Sequence, residues 1–283
     1  MSNAAISKRL GNPNDEFYTL PETVEAELSH YSAFLRGKRI YLPADGPESA
    51  FVAFFRERFD ALGILSCTAT QYAPGGIGRK TTITATGLTV EPLQGDGDFL
   101  GDECQGILAA SDCVITNPPF SIFRDFLFRI LDSGKDFILL GGFLALTYSA
   151  VFDAFHAGKF RLGYATGSQR FKRPSGELET AHIRFFTSFP VAPPRKALRP
   201  SATFDESRFP LYDRFPVRFV SRIRDIPKDY AGALAVPFTV FDYDLTGWEV
   251  LGRVREPMRI QGKRVFHRVI VRRLESLESE KNK

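Results

Sequence analysis

Short apolar strand patterns alternate with amphipathic helix patterns between residues 20 and 187, and this order constrains the fold more than any other feature of the sequence. The first helix is predicted where Val24, Leu28 and Tyr31 recur at helical spacing, and Gly37 follows as its stop. Later helix patterns are followed by short apolar runs typical of buried strands. Such alternation predicts an α/β fold: a mostly parallel sheet with helices on both faces and ligands bound beyond the carboxyl ends of the strands.

Six strands and four helices follow from this pattern. The predicted strands cover residues 39–44, 64–70, 112–116, 137–144, 160–165 and 181–187. The predicted helices contain residues 24–35, 51–62, 122–131 and 151–157. Residues 166–179 are predicted to form a polar loop between the last two strands.

The composition is typical of a globular protein. Of the 283 residues, 43% are hydrophobic and 25% are charged, which excludes a disordered or collagen-like chain. The longest apolar stretch, 137–146, contains two glycines and is shorter than the roughly 18 residues that a membrane-spanning helix needs. The first residues lack the apolar segment and cleavage site of a secretory signal. We therefore expect a cytoplasmic protein with no membrane partner.

Cysteine and histidine usage argues against a metal centre. Cys67, Cys104 and Cys113 are far apart and lack the paired spacing of a zinc site or a redox motif. The four histidines are equally scattered. We predict reduced thiols and no bound metal.

Basic residues are concentrated in the last third of the chain. Residues 1–190 carry 18 basic and 21 acidic side chains, whereas residues 191–283 carry 19 basic and 12 acidic ones. A proline-rich connection separates the two parts, which predicts a domain at 1–190 and a smaller basic region at 191–283. Arginines alternate with aromatic residues in the second part, a mixture that can bind phosphates. A solvated basic face is the alternative interpretation.

Asn117, Pro118, Pro119 and Phe120 follow a predicted buried strand and precede a helix, where an α/β sheet binds ligands. An exocyclic amino group of a nucleobase is a poor nucleophile because its lone pair is delocalised into the ring. Methylating it requires acceptors for its hydrogens, and the Asn117 side-chain oxygen and the Pro118 carbonyl can supply two. The following proline holds Pro118 extended and fixes the direction of its carbonyl.

Phe120 adds an aromatic face to the same motif. Stacking of a base on such a ring is worth about 1–3 kcal/mol. Removing one preorganised partner of a transition state typically raises the barrier by about 3–4 kcal/mol. All four residues of the motif are therefore candidate catalytic residues. A proline turn that merely joins a strand to a helix is the alternative.

At these residues the sequence resembles the amino-methyltransferases that use S-adenosylmethionine, and more closely the EcoRI-type adenine-specific DNA methyltransferases. The resemblance extends over nearly the whole chain. It is carried by residues 14–19, 45–49, 97–99, 117–121, 185–189, 236–242, 248–252 and 262–268. It implies a Rossmann-like methyltransferase sheet, S-adenosylmethionine as the cofactor, and a target-recognition region in the basic C-terminal part.

The resemblance also assigns residues to the cofactor. Phe17, Tyr18 and Thr19 match the segment that closes over its methionine end. Asp45, Pro47, Glu48 and Ser49 lie in the turn after the first predicted strand, where amides at a helix N-terminus can meet the cofactor carboxylate. Asp98 and Phe99 match the segment at the cofactor adenine. The usual F-x-G-x-G turn is absent, and the second predicted strand does not end in an acid for the ribose.

The predicted loop at 166–179 carries Phe171 next to Arg170, Lys172 and Arg173. In related enzymes an aromatic residue here stacks on the extruded base, so the resemblance implies that Phe171 covers one face of the base and Phe120 the other. Flipping a base out of a duplex costs a few kcal/mol, which stacking and phosphate contacts must offset.

The resemblance implies site-specific methylation of adenine N6 in double-stranded DNA. The motif alone would equally suit cytosine N4, an RNA base or a protein glutamine. A non-catalytic nucleic-acid-binding module is a further alternative, since the cofactor turn is altered. We expect a monomer, and a cognate restriction endonuclease would be the companion of such a modification enzyme.

Overall fold

The computed structural model describes residues 18–173, 175–256 and 258–274. The strands are β1 (Tyr18–Thr19), β2 (Arg39–Pro43), β3 (Ser66–Gln71), β4 (Arg79–Thr84), β5 (Gly87–Pro92), β6 (Cys113–Thr116), β7 (Asp136–Gly142), β8 (Arg161–Leu162), β9 (Ser168–Lys172), β10 (Leu178–Thr187), β11 (Lys196–Ala197), β12 (Leu211–Tyr212), β13 (Phe215–Phe219), β14 (Leu234–Val236), β15 (Tyr243–Asp244), β16 (Trp248–Arg253), β17 (Arg259–Ile260), β18 (Lys263–Arg264) and β19 (Val269–Arg273). The helices are α1 (Pro21–Leu28), α2 (Ser32–Leu35), α3 (Ala50–Leu62), α4 (Asp102–Ala110), α5 (Phe123–Ser133) and α6 (Ser149–His156).

A ten-stranded mixed sheet forms the centre of the larger part of the molecule, in the order β1-β9-β10-β7-β6-β2-β3-β4-β5 with β8 beside β10. Its four central strands, β7, β6, β2 and β3, are parallel. The strands outside them pair antiparallel. The α/β class is confirmed, but the prediction of a mostly parallel sheet is wrong. Two hairpins at the edges supply antiparallel strands, because strands joined by a short turn must run in opposite directions.

One of these hairpins replaces the predicted loop at 166–179. Residues of that segment form β9 and the start of β10, which pair from Ser168 opposite His182 to Lys172 opposite Leu178. The strand predicted at 160–165 is reduced to the two residues of β8. Four of the five residues of β9 are polar and only Phe171 is buried, a composition typical of a loop when the partner strand is not known.

The first predicted helix forms as α1, a single 3-10 turn and α2. Its predicted apolar stripe is correct, since Val24, Leu28, Tyr31 and Leu35 are all at most 1% exposed. The stripe packs into a core that also contains residues from β2, α3 and β10.

A buried carboxylate ties α1 to the segment before β9. Glu27 accepts hydrogen bonds from the amides of Tyr164 (2.9 Å) and Ala165 (2.6 Å) and from the hydroxyl of Tyr31 (2.8 Å). Burial raises the pKa of Glu27, and these hydrogen bonds act in the opposite direction. Gly163 leaves room for the carboxylate, because a Cβ at that position would lie 2.0 Å from Glu27 Oε1.

Both faces of the central sheet are covered. In β2, Ile40 and Leu42 belong to the core that contains the phenylalanines of α3. Tyr41, between them, faces the other side, where its ring lies 6.4 Å from that of Phe99. Phe99 in turn packs at 4.7 Å from Phe126 of α5. The side chains of β2 therefore alternate between the face of the sheet covered by α3 and the face covered by α5.

The described residues form two compact units. The first contains 18–145 and 157–193, and the second contains 146–156 with the segment from 194 onwards. Helix α6 groups with the second unit because Phe152 and Phe155 pack against Phe241, and Phe152 also meets Phe238. The second unit has its own five-stranded sheet, β12-β13-β14-β19-β16.

In the described ranges no helix combines the length and the hydropathy needed to span a bilayer. No group of three or more metal-ligating side chains is found in the same ranges. Cys67, Cys104 and Cys113 are buried thiols.

Candidate active site

The candidate site lies where the sheet reverses its strand order. The chain passes from β2 to β3 on one side, whereas β6 pairs with the other side of β2. The carboxyl ends of β2 and β6 therefore flank a topological switch point, the place where open α/β sheets bind ligands. Asp45 follows β2 and Asn117 follows β6, so the fold brings these two predicted residues to the same edge.

Asp45 is joined to the end of β6 by a hydroxyl group. Ala44, with a φ of 64°, turns the chain sharply after β2. Thr116 Oγ1 donates to the carbonyl of Pro43 at 2.6 Å and lies 3.2 Å from Asp45 Oδ2. Burial raises the pKa of Asp45 from 3.8 to about 7, against the lowering effect of hydrogen bonds from Ser49 and Thr116. A positive charge placed next to this carboxyl group would lower its pKa and favour the ionised form.

The remainder of the turn leads into α3. Ser49 caps this helix and accepts a hydrogen bond from the amide of Val52 at 3.1 Å. Pro47 is half-buried and Glu48 is exposed. The N-terminus of this 13-residue helix thus lies directly after Asp45, and its positive dipole end favours an anionic group nearby.

The acceptor corner, residues 117–120, follows β6 without a break. Pro118 is buried and Asn117 is half-buried. Asn117 Nδ2 donates to Thr19 Oγ1 at 3.2 Å. The carbonyls of Pro119 and Phe120 accept hydrogen bonds from Ile122 and Phe123 as the chain turns into α5. The Pro118 carbonyl is not among the acceptors of that turn in the part of the chain that the structure describes.

Phe120 and Phe171 meet, but not as two parallel plates. Their rings are 6.1 Å apart at an interplanar angle of 88°. Phe171 is 0% exposed and lies in β9 within the main core, rather than in a loop. The predicted arrangement, with a base between two parallel rings, is not the arrangement found here, because a perpendicular ring contact leaves no slot between the faces.

The basic neighbours of Phe171 are divided by strand alternation. Arg170 and Lys172 are exposed on the face of β9 opposite to Phe171. Arg173 pairs with Glu179 of β10, and its amide donates to the carbonyl of Glu177. Arg170 and Lys172 are therefore available on the surface, whereas Arg173 holds the hairpin together.

The two residues assigned to the cofactor adenine, Asp98 and Phe99, also differ in exposure. Phe99 is 3% exposed and packs between Tyr41 and Phe126, so its ring belongs to the core. Asp98 lies in a turn and accepts a hydrogen bond from the amide of Leu100 at 3.0 Å. Of the two, Asp98 is the one whose side chain stays near the surface of the turn.

The described residues include two of the three predicted positions 17–19. Phe17 lies outside the described residues. Tyr18 is 52% exposed, and Thr19 is buried in β1 at 8% exposure. Thr19 thus faces the acceptor corner, to which it is hydrogen bonded.

Two residues that the sequence did not single out belong to this region. Thr116 joins β6 to Asp45, as described above. Gln71 ends β3, and its side chain lies 3.1 Å from where a Cβ on Gly46 would be. Its position at the end of a parallel strand next to the switch point is a signal that the sequence contains.

Comparison with protein families decides the assignment. The model of the family described as the adenine-specific methyltransferase EcoRI matches residues 5–88, 78–178 and 176–262. This chain belongs to the EcoRI methylase family. The resemblance inferred from the sequence motifs is thereby confirmed.

Curated relatives of this EcoRI-family chain cover most of its length. It is 30% identical over 248 residues to the Type II methyltransferase M.MpnI of Mycoplasma pneumoniae, an alignment that covers 80% of this chain and 78% of the relative. It is 26% identical to the Type II methyltransferase M.EcoRI of Escherichia coli, with coverages of 96% and 97%. The Type II methyltransferase M.MgeORF184P of Mycoplasma genitalium is also 26% identical, with coverages of 92% and 96%.

Membership of the EcoRI family makes this chain a methyltransferase. Its fold brings Thr19, Asp45, Thr116 and the acceptor corner to one edge of the sheet. The same fold places Phe99 and Phe171 in the core.

Proposed function

We propose that this EcoRI-family methyltransferase transfers the methyl group of S-adenosylmethionine to N6 of an adenine flipped out of double-stranded DNA. The acceptor corner is the observation that supports this most directly. It lies at the switch point of the central sheet, its Asn117 side chain donates a hydrogen bond to Thr19, and Pro118 within it is buried.

The corner suits the amino group of adenine for an electronic reason. Asn117 Oδ1 accepts one N6 hydrogen and the Pro118 carbonyl accepts the other, so the nitrogen lone pair is drawn out of conjugation with the ring. As the new N–C bond forms, the bond between the methyl group and the cofactor sulfur would break, with its electron pair staying on the sulfur. Positive charge then develops on N6, and two oxygens that are already in place stabilise it without reorganising. The extra proton then leaves to water. No covalent enzyme intermediate is required.

The residues around Asp45 fit the methionine end of the cofactor. When bound, S-adenosylmethionine supplies an electrophilic methyl group on a positively charged sulfur. The Asp45 carboxyl, whose pKa is about 7, would become fully ionised beside such a cationic ligand. The amides at the start of α3 would meet the cofactor carboxylate. Asp98 and Gln71 would lie toward the adenosine end.

A basic ribbon in the second unit supplies a surface for DNA. Residues 253–268 contain six basic side chains and one acidic one. The β16 and β19 pair continues into this ribbon through hydrogen bonds from Val254 to Arg268 (3.0 Å) and from Val265 to Met258 (2.9 Å). It ends in a turn at 261–262, whose two amides donate to the Asp213 carboxylate at 2.6 and 2.9 Å.

The outward face of this ribbon combines charge with an aromatic ring. Arg259 and Arg264, which lie opposite each other on β17 and β18, are exposed, and Phe266, two residues after Arg264, is 78% exposed. Val254 and Met258, on the inward face, are each 1% exposed. A two-stranded ribbon fits the major groove, and an exposed aromatic ring between cations can stack on bases while the cations bind phosphates. We therefore assign target recognition to the second unit, with Arg170 and Lys172 of β9 as further phosphate contacts.

The proposal is tested by incubating the protein and its Asn117→Ala variant with duplex DNA and cofactor labelled in the methyl group, followed by digestion to nucleosides. We expect label in N6-methyl-2′-deoxyadenosine for the wild-type protein only. Loss of one acceptor raises the barrier by about 3–4 kcal/mol, which slows transfer several-hundredfold. Cofactor affinity, measured by calorimetry, should be retained in the variant, because Asn117 faces the amine.

The same assay separates the alternatives. Label in N4-methylcytosine, or label that appears only with RNA or protein as substrate, would contradict the assignment to adenine in DNA. DNA binding with no heat of cofactor binding and no cofactor-dependent rise in melting temperature would indicate a binding module instead.

A further inference from the structure

The two ends of the acceptor corner are each contacted by one member of a single cross-strand pair. Thr19 of β1 and Phe171 of β9 lie directly opposite each other. Thr19 Oγ1 accepts the hydrogen bond from Asn117 Nδ2 at 3.2 Å. Phe171 packs edge-to-face on Phe120, with ring centroids 6.1 Å apart. Opposed residues of antiparallel strands project from the same face, so one pair can reach both ends.

We propose that Thr19 and Phe171 form a positioning clamp that sets the direction of the acceptors, an inference that rests on the proposed function. A primary amide has an acceptor end and a donor end of almost the same shape. The bond to Thr19 holds the donor end of Asn117 and thereby directs Oδ1 toward the substrate. Without it, the NH2 group could turn toward the substrate amine, and two donors would then face each other.

The clamp is buried and anchored to the sheet. Thr19 is 8% exposed and Phe171 is 0% exposed, so water competes little for either contact. Phe171 is also paired with Glu179 of β10, and β10 lies against β7 in the centre of the sheet. The hairpin of β9 and β10 therefore transmits the rigidity of the sheet to the corner.

This role differs from the one that family resemblance assigns to Thr19. A residue that binds the methionine end of the cofactor would change cofactor affinity when altered. A positioning residue that orients Asn117 would change the rate of transfer, because Asn117 acts on the substrate amine. The two roles therefore predict changes in different constants.

The test compares Thr19→Val, which keeps the shape and removes the hydroxyl, with Thr19→Ser, which keeps the hydroxyl. Thr23→Val is the matched control, since Thr23 is buried to a similar extent (5%) in the neighbouring helix α1. We expect Thr19→Val to lower kcat by roughly 10- to 100-fold, as is found when a side chain that orients a metal ligand through a hydrogen bond is removed. The Kd for S-adenosylmethionine should be unchanged, and Thr19→Ser should recover most of the rate.

A Thr19→Val variant with wild-type kcat would overturn the clamp, as would one that loses cofactor affinity at unchanged kcat. A double-mutant cycle in urea unfolding, with Thr19→Val and Asn117→Ala, adds a measurement that does not need activity. Non-additive effects show that the two side chains interact. If the two changes in the free energy of unfolding are additive, the clamp is overturned, whatever the activity of the protein. If they are non-additive but the protein methylates no DNA, only the proposed function is overturned.

Discussion

Replacing Asp45 by Asn should stabilise this protein at neutral and alkaline pH. The carboxyl group is buried, and its pKa is raised from 3.8 to about 7. Between these two pH values the folded protein keeps a proton that the unfolded chain has released. The free energy of unfolding therefore falls as the pH rises from about 4 to about 7, and this contribution is constant above that range.

The size of the effect follows from the two pKa values. At about 1.4 kcal/mol per pH unit, the interval from 3.8 to about 7 corresponds to roughly 4 kcal/mol. Asn has the same shape, carries no charge and can keep hydrogen bonds to Ser49 and Thr116. We expect the variant to exceed the wild-type free energy of unfolding by up to about 4 kcal/mol at pH 8, and by almost nothing at pH 4.

Urea unfolding at 25 °C over pH 4 to 8 measures this difference directly. Glu48→Gln, which removes an exposed carboxyl group from the same turn, is the matched control. A gap between wild type and Asp45→Asn that stays constant across the pH range would refute the reasoning. Under the proposed function, Asp45→Asn should also bind S-adenosylmethionine more weakly, because it lacks a negative charge for the cationic ligand. The substitution would then increase stability and reduce cofactor binding.

Two further substitutions test the supports of the site and the DNA surface. Gly141→Ala should lower the free energy of unfolding by about 1–3 kcal/mol, because its Cβ would lie 2.2 Å from the ring of Phe123 at the start of α5. Gly142→Ala should be neutral in the same urea titration, because among the described residues no atom beyond its chain neighbours lies within 4 Å of the new Cβ. Phe266→Ala should weaken duplex DNA binding by about 1–3 kcal/mol without changing its salt dependence. Equal losses for Leu251→Ala, on the same strand pair, would contradict a specific role for Phe266.

The sequence predicted those parts of the site that follow from single elements. Asp45 and Asn117 each come directly after an apolar strand, and parallel strands end at one edge of a sheet. Their convergence therefore follows from the sequence alone. The apolar stripe of α1 was also predictable, because helical spacing is a local property.

Contacts between distant parts of the chain could not be predicted in this way. β1 pairs with β9 across about 150 residues of chain, so nothing near Thr19 indicated that it meets Asn117. The segment of the β9–β10 hairpin has the composition of a loop, because its exposed positions are polar and local sequence does not show which strands pair. The expectation that Phe171 stacks on a base from a loop therefore does not match its position in a buried strand. Glu27 did leave a signal, since an acid lies within the apolar stripe between Val24 and Tyr31.

Methylation of adenine in DNA, with the amine held at the acceptor corner, is measured most directly by the N6-methyladenine content of DNA from cells that express the protein. Genomic DNA from cells with the wild-type chain should carry N6-methyladenine at one recurring sequence, and DNA from cells with Asn117→Ala should lack it at that sequence. Equal modification by both proteins, or none by the wild-type protein when it is folded and binds the cofactor, would contradict the account.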